Sequence, residues 1–161
     1  IILTYNSSKT IIDCLASVRK YLRTNDEVII VDNKSEDNTL NIIENYISQH
    51  NQFKLIQNDS NIGFSAGTNV GIKAALNKFI ILLNPDTIAT KGWIENLTCH
   101  LDENTGGVGP ISNYVAGYQK MEFYAESKIK EKSINRKDAT DFVGKYLYFS
   151  FALPRLQLKQ T

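Results

Sequence analysis

The stretch KFIILLNPDT, residues 78–87, decides the fold. From Phe79 to Leu83 it is apolar without alternation. That is the pattern of a strand covered on both faces, and it predicts a central strand over Lys78–Leu83. Asn84 and Pro85 end the strand, because proline donates nothing to a ladder and turns the chain. The turn sets the Asp86 carboxylate just past the strand's carboxyl end.

Outward from this stretch, strand and helix periods alternate. Ile1–Thr4 reads as a strand. Ser7 or Ser8 is placed to cap a helix carrying Ile11, Leu15, Val18 and Leu22 on one face. Glu27–Val31 is a buried-type strand closed by Asp32. Ser35 then caps a second helix, with Glu36 and Asp37 in its positive first turn and Leu40, Ile43 and Ile47 as its apolar stripe. Phe53–Gln57 is a third strand, followed by a polar glycine-bearing loop over 58–68 and a helix near Asn69–Leu76. After the central strand, Thr90 caps a fourth helix with Ile94, Leu97 and Leu101 inward, and Val108–Ile111 is a further candidate strand. Such alternation implies parallel strands joined by crossovers: an α/β fold with a mostly parallel sheet between two helix layers. Past Ser112 the pattern weakens into scattered lysines and polar residues, a solvated segment or an acceptor-facing loop. Phe142–Phe151 is strand-like again, and 153–161 reads as an edge or a cut.

Bulk properties agree with one soluble domain. The 161 residues are 42% hydrophobic and 22% charged, enough apolar material for a core. A net charge of +1 gives no pull toward nucleic acid or a membrane surface. Cys14 and Cys99 both fall in apolar helical patterns and read as buried thiols of a reducing cytosol. His50 and His100 do not make a histidine metal site. The run Phe79–Leu83 is too short to span a bilayer. The start on Ile1, without an initiator Met or a signal-peptide pattern, leads us to expect that a few residues precede it.

In open parallel sheets, ligands bind beyond the carboxyl ends of the strands. Here those ends are Thr4–Tyr5–Asn6, Asp32–Asn33, the loop after Gln57, and Asn84–Asp86. Asp86 suits a hard cation such as Mg²⁺ or Mn²⁺ that completes its shell with diphosphate oxygens and water; the alternative is an ordinary turn. An ionised Asp32 accepts hydrogen bonds only, so it fits the imide N3–H of uracil or thymine and disfavours cytosine; the alternative is a turn aspartate. The loop Asn61–Ile62–Gly63–Phe64–Ser65–Ala66–Gly67–Thr68–Asn69–Val70–Gly71 is neither a dinucleotide fingerprint nor a P-loop. Its small residues admit a sugar or phosphate, or else Gly67 and Gly71 allow close helix–strand packing. Tyr5 stacks on a base or packs at the core edge. No nucleophile elbow, supported Cys–His pair or zinc spacing is present, which argues against a hydrolase.

Thr4–Tyr5–Asn6, Val31–Asp32–Asn33–Lys34–Ser35–Glu36–Asp37–Asn38–Thr39, Asn61–Ile62–Gly63–Phe64 through Asn69–Val70–Gly71, and Leu83–Asn84–Pro85–Asp86–Thr87 together resemble glycosyltransferase family 2, and most closely its rhamnosyltransferase-like branch. The resemblance covers about residues 1–110. It implies a GT-A (Rossmann-like) α/β/α fold and an inverting transfer of sugar from a UDP- or dTDP-linked donor to a hydroxyl of a glycan or lipid-linked acceptor. It further implies a nucleotide-sugar site of Thr4, Tyr5, Asn6, Asp32, Asn33, Asn61, Gly63, Phe64, Ser65, Gly67, Asn69 and Asp86. Mg²⁺ or Mn²⁺ is expected on Asp86, with Asn84, at the first position of the D-x-D-like element, the weaker ligand. On this reading 1–111 is the nucleotide-sugar-binding core and 112–161 begins the acceptor side, incomplete and partly flexible. The family's acidic general base lies in the second half, usually near a Gly–Gly–Phe–Asp-like element that does not occur here. Asp138 and Asp141 lack its context, so the base is expected beyond Thr161. The expected location is cytoplasmic, or peripheral at the inner membrane face, with no nucleic-acid partner. Two other readings stay open: a nucleotide-sugar-binding remnant without transfer activity, and a dinucleotide-binding or nucleotidyltransferase domain.

Overall fold

The computed structural model describes residues 1–102, 105–110 and 150–154. Among them, β1 (Ile2–Thr4), β2 (Val28–Asp32), β3 (Phe53–Gln57), β4 (Phe79–Leu83) and β5 (Ser150–Pro154) form one sheet in the order β3-β2-β1-β4-β5. The first four strands run parallel, and β5 lies antiparallel on β4. β4 is therefore interior, as its apolar run predicts. β2 is buried at all five positions, for the same reason.

Four helices cover the sheet: α1 (Ile11–Arg19), α2 (Thr39–Ile47), α3 (Phe64–Ala74) and α4 (Trp93–Thr98). Strand side chains alternate between two cores. Ile2, Val28, Ile30, Phe53 and Leu83 pack with Ile11, Leu15 and Val18 of α1 and Ile43 of α2, and Trp93 of α4 leans on this cluster. On the opposite face Ile29, Val31 and Ile80 pack with Val70, Ile72 and Ala75 at α3. The layering is the expected helix–sheet–helix. No helix among the described residues is long and apolar enough to cross a membrane.

The helix starts depart from the sequence reading. α1 begins at Ile11 after Thr10, and Ser7 contributes its backbone carbonyl to the Thr10 and Ile11 N–H groups. α2 begins at Thr39, because the Ser35 hydroxyl is spent on Asp32 rather than on a helix end. α3 starts five residues earlier than Asn69, at Phe64, with Gly63 as N-cap at φ 83°. α4 follows Gly92, the Thr90 carbonyl accepts the Trp93 N–H, and Leu101 lies past the helix end. Cys99 is exposed at the C-terminal end of α4, not buried; Cys14 is fully buried. Of Val108–Ile111, Val108 makes an isolated bridge. Of the Phe142–Phe151 segment, Ser150 and Phe151 lie in β5; 142–149 and 111 fall outside the described residues, as do Asp138 and Asp141.

Candidate functional site

The strand register gathers the chemistry at one edge. Thr4 pairs with Asp32, Asp32 with Gln57, and Ile2 with Leu83, which brings Asn84 to the same carboxyl edge. β1 is the switch point of the sheet: connections run one way from it to β2 and β3, and the next strand, β4, pairs on its other side. A crevice opens at such a point. A cavity of about 130 Å³ lies there, lined by Ile1, Leu3, Phe64, Thr68, Leu82, Leu83 and Asn84. A larger cavity of about 240 Å³, with Leu22, Asp26, Glu27, Asn77 and Phe79 in its wall, sits at the opposite end of the strands, away from these residues.

Asp32 is 2% exposed and points to the α1–α2 side. Its Oδ1 accepts the Thr4 hydroxyl at 3.1 Å and the Ser35 hydroxyl at 2.5 Å, and its Oδ2 accepts the Ser35 N–H at 3.0 Å. A carboxylate offers about four acceptor positions, so three donors hold it in place and one position on Oδ2 stays open. Thr4, itself fully buried, serves as a support for Asp32.

The loop after β1 is tied to the loop after β2. Asn6 sits in the left-handed region at φ 51°, where asparagine is tolerated. Its Oδ1 accepts the N–H groups of Glu36 (2.8 Å) and Asp37 (3.3 Å). The three successive N–H groups of Asn6, Ser7 and Ser8 go to Ser35 Oγ, Thr39 Oγ1 and Asp37 Oδ2. Asn6 thus locks the loop after β1 to the loop after β2. Hydrogen bonds from Ser8 and Thr39 hold the Asp37 carboxyl well below the usual carboxylate range. Tyr5 stands free of this lock, 43% exposed at the edge.

Asn33 is also buried, and its amide is a staple. Nδ2 donates to Asn61 Oδ1 and to the Gly63 carbonyl, each at 3.1 Å, and Oδ1 accepts Asn58 Nδ2 at 2.8 Å. Asn61 also accepts the Gly63 N–H. Asn33 and Asn61 therefore shape the glycine loop. Gly63 supplies the positive φ that turns the chain into α3. Gly67 and Gly71 face the sheet: a Cβ on Gly67 would meet Leu3 Cδ1 at 2.6 Å, and one on Gly71 would meet Ile1 Cγ2 at 2.5 Å. Both glycines thus allow close helix–strand packing. The first α3 residues, Phe64, Ser65 and Ala66, are exposed, and no side chain caps the helix. Their N–H groups precede the first intrahelical bond, Gly67 N–H to the Gly63 carbonyl, and open a helix N-terminus suited to an anion. Asn69 is exposed one turn further on.

At the end of β4, Asn84 and Asp86 are exposed while Thr87 is buried. The Thr87 N–H closes the turn on the Asn84 carbonyl at 3.2 Å. Asp86 makes no hydrogen bond or ion pair among the described residues. Those residues hold no group of three or more Asp, Glu, His or Cys arranged for a metal. The donor set at this corner is one accessible carboxylate with the Asn84 amide. It fits a hard divalent cation that draws its remaining oxygens from ligand and water, and does not fit a cage made of protein alone.

Sequence reading did not assign Ser35, Asp37, Thr39 and Asn58 their roles as hydrogen-bond partners at this edge. The signal was present in the polar run 35–39, which is too dense in Ser, Asp, Asn and Thr for a single helix cap.

The comparisons agree with this geometry. The family model described as Glycosyl transferase family 2 matches residues 1–153. Glycosyltransferase GlyG of Streptococcus pneumoniae serotype 4 is 26% identical over 162 residues, covering 96% of this chain and 53% of its own length. The poly(ribitol-phosphate) beta-N-acetylglucosaminyltransferase TarS of Staphylococcus aureus (strain Mu50) is 33% identical over 111 residues, 67% of this chain and 19% of TarS. A crystal structure of S. aureus TarS 1–349 with UDP-GlcNAc superposes with a TM-score of 0.54 and 34% identity, over 59% of this chain and 28% of that one. The mannosyltransferase PcManGT from Pyrobaculum calidifontis, solved with GDP-Man and Mn²⁺, has a TM-score of 0.65 at 20% identity, covering 69% of this chain and 34% of PcManGT, and shares the fold. The chain spans about half the length of GlyG and a fifth of TarS. With buried Asp32, the glycine loop and Asp86 on one edge of a GT-A-type sheet, and a family match over nearly its whole length, the chain belongs to glycosyltransferase family 2.

Proposed function

We propose that this chain forms the donor half of an inverting glycosyltransferase that moves a sugar from a UDP- or dTDP-linked donor to a hydroxyl of a glycan or lipid-linked acceptor. The observation that carries this reading is the pairing, on one sheet edge, of a buried carboxylate with one open acceptor position and an exposed carboxylate without a partner among the described residues. Asp32 Oδ2 accepts the imide N3–H of the base, and Tyr5 stacks beside it. The exposed N–H groups of Phe64–Ala66 meet the diphosphate, with Ser65 and Asn69 toward the donor sugar. Asn33, Asn61, Gly63 and Gly67 hold that loop in place, and Asn6 fixes the neighbouring one.

Asp86, supported by Asn84, would hold Mg²⁺ or Mn²⁺, and a cation there would supply charge neutralisation for the departing diphosphate. The acceptor hydroxyl attacks from the face opposite the diphosphate and gives its proton to a base outside the described residues. TarS is 34% identical to this chain in its complex with UDP-GlcNAc, which supports a uridine donor; Mn²⁺ in the PcManGT complex supports the metal. We place the enzyme at the cytoplasmic side, in contact with a membrane-borne or wall-glycan acceptor.

Calorimetry on the full-length protein tests this. UDP affinity should rise with Mn²⁺, and Asp86→Ala should remove that rise, a loss of at least about tenfold or roughly 1.4 kcal/mol. An Asp86→Ala variant with wild-type Mn²⁺ dependence would sink the metal assignment, and affinity for neither UDP nor dTDP would sink the donor reading.

A further inference from the structure

We infer that Cys14 and Ser17 on α1 are positioning residues for the Asp86 corner, gripping the segment 84–89 from beneath so that the carboxylate is ordered before any cation arrives; this rests on the proposed metal role of Asp86. The segment alternates in and out. Thr87 and Ala89 are 5% and 6% exposed and face the protein, while Asn84, Asp86 and Ile88 face solvent. Two α1 side chains, three residues apart and so on one helix face, meet its inward side.

The Cys14 thiol, fully buried, donates to the Asn84 carbonyl at 3.6 Å. The thiol thus meets the turn that presents Asp86 at its first residue, whose carbonyl also accepts the Thr87 N–H at 3.2 Å. The Ser17 hydroxyl accepts the Ala89 N–H at 2.8 Å and donates to the Cys14 carbonyl at 2.8 Å. It thereby ties the exit of the segment to the helix turn that carries the thiol. Without Ser17 the buried Ala89 loses the partner its N–H has among the described residues, and without the thiol the Asn84 carbonyl keeps only the Thr87 N–H. The strand ladder, through Leu83 N–H on the Ile1 carbonyl, and the turn bond from the Thr87 N–H to the Asn84 carbonyl would remain. A loop that must be ordered on binding gives up affinity, and a preorganised one does not.

The test is Mn²⁺ binding followed by the loss of the free-ion electron paramagnetic resonance signal, in the full-length protein with saturating UDP. Ser17→Ala and Cys14→Ala should each raise the half-saturating Mn²⁺ concentration about fivefold to tenfold. Cys14→Ser, which restores an O–H donor, should recover most of the loss. UDP affinity without metal should stay at the wild-type value in all three. A purely structural role would lower the melting temperature and leave Mn²⁺ half-saturation unmoved at a temperature where the variants are folded. If Asp86→Ala abolishes Mn²⁺ binding while Ser17→Ala and Cys14→Ala bind it as wild type does, the positioning role is overturned alone. Wild-type protein that binds no Mn²⁺ overturns the metal reading and this role together. Should Ser17→Ala fail to fold, the Cys14→Ala and Cys14→Ser pair decides.

Discussion

Asp32→Asn separates what the buried carboxylate does for the fold from what it does for the ligand. The aspartate receives three donors: two hydroxyls on Oδ1 and one N–H on Oδ2. The amide has one acceptor oxygen and two ways to sit. With its oxygen at the Oδ1 position, the NH₂ group opposes the Ser35 N–H. With its oxygen at Oδ2, that bond survives, but the two hydroxyls must turn and accept. Thr4 can do so, since the Val31 carbonyl lies 3.5 Å from its hydroxyl. The second arrangement therefore wins. Its cost is the charge assistance of the surviving bond and one poorly placed hydroxyl hydrogen. Hydrogen bonds to charged groups are worth about 1.5–3 kcal/mol against roughly 0.5–1.5 for neutral ones. We expect a loss of about 1–2 kcal/mol, or about 2–8 °C in Tm for a chain of this size. Urea titration followed through Trp93, the one tryptophan and partly packed on the core, measures it. The imide bond to UDP should weaken in parallel by about 1 kcal/mol, roughly fivefold in Kd. Stability lost with UDP affinity unchanged would confine Asp32 to a structural role. Neither changed would refute the hydrogen-bond accounting itself.

Further expectations concern other parts of the same edge. In Gly67→Ala, Leu3 can swing toward the adjoining cavity, but the stapled Asn33 amide, 3.2 Å from the new Cβ, cannot. Overpacking of about 1–3 kcal/mol outweighs the roughly 1 kcal/mol helix-propensity gain, so calorimetric scans should show a lower Tm; a raised Tm would contradict the close-packing reading. Asp37 has its folded pKa depressed, so its contribution is full above the unfolded value near ~3.9 and fades as pH falls below it. Asp37→Asn should therefore flatten the acid limb of stability below about pH 4 and leave the slope between pH 5 and 7 unchanged, as read by denaturant midpoints across pH. Burial pushes the Cys14 thiol up to about 12, whereas Cys99 is exposed. Iodoacetamide at pH 8 should then label Cys99 in the folded protein and reach Cys14 only after denaturation, with peptide mass spectrometry as the readout.

The strands were legible because a strand inside the sheet carries an uninterrupted apolar run, as in Val28–Val31 and Phe79–Leu83. Helix starts were less so. Ser35 and Asp37 have the chemistry of caps, but their partners lie on Asp32 and on the loop of Ser7 and Ser8, 29 residues away in the case of Ser8. The start of α3 was hidden because two glycines lower its intrinsic helix preference. They are there for contact with β1 and β2, and tertiary packing overrides the propensity. The carboxyl edge itself was readable from four polar strand ends. The division of labour within it was not. Asn33 looks the same in sequence whether its amide meets a ligand or Asn58, 25 residues on.

The lock between the loops after β1 and β2 has a consequence for how such a domain can be recombined. Five hydrogen bonds join residues 6–8 to residues 35–39, and each needs a particular side chain on one side and a backbone group on the other. The two segments are one heritable unit despite the helix and strand between them. A chimera with a relative that exchanges residues across a junction between 9 and 34 would pair Asn6 with a foreign partner loop. A junction between 40 and 52 would pass both halves intact. Modular exchange in this fold is thus permitted at α2 and resisted at α1.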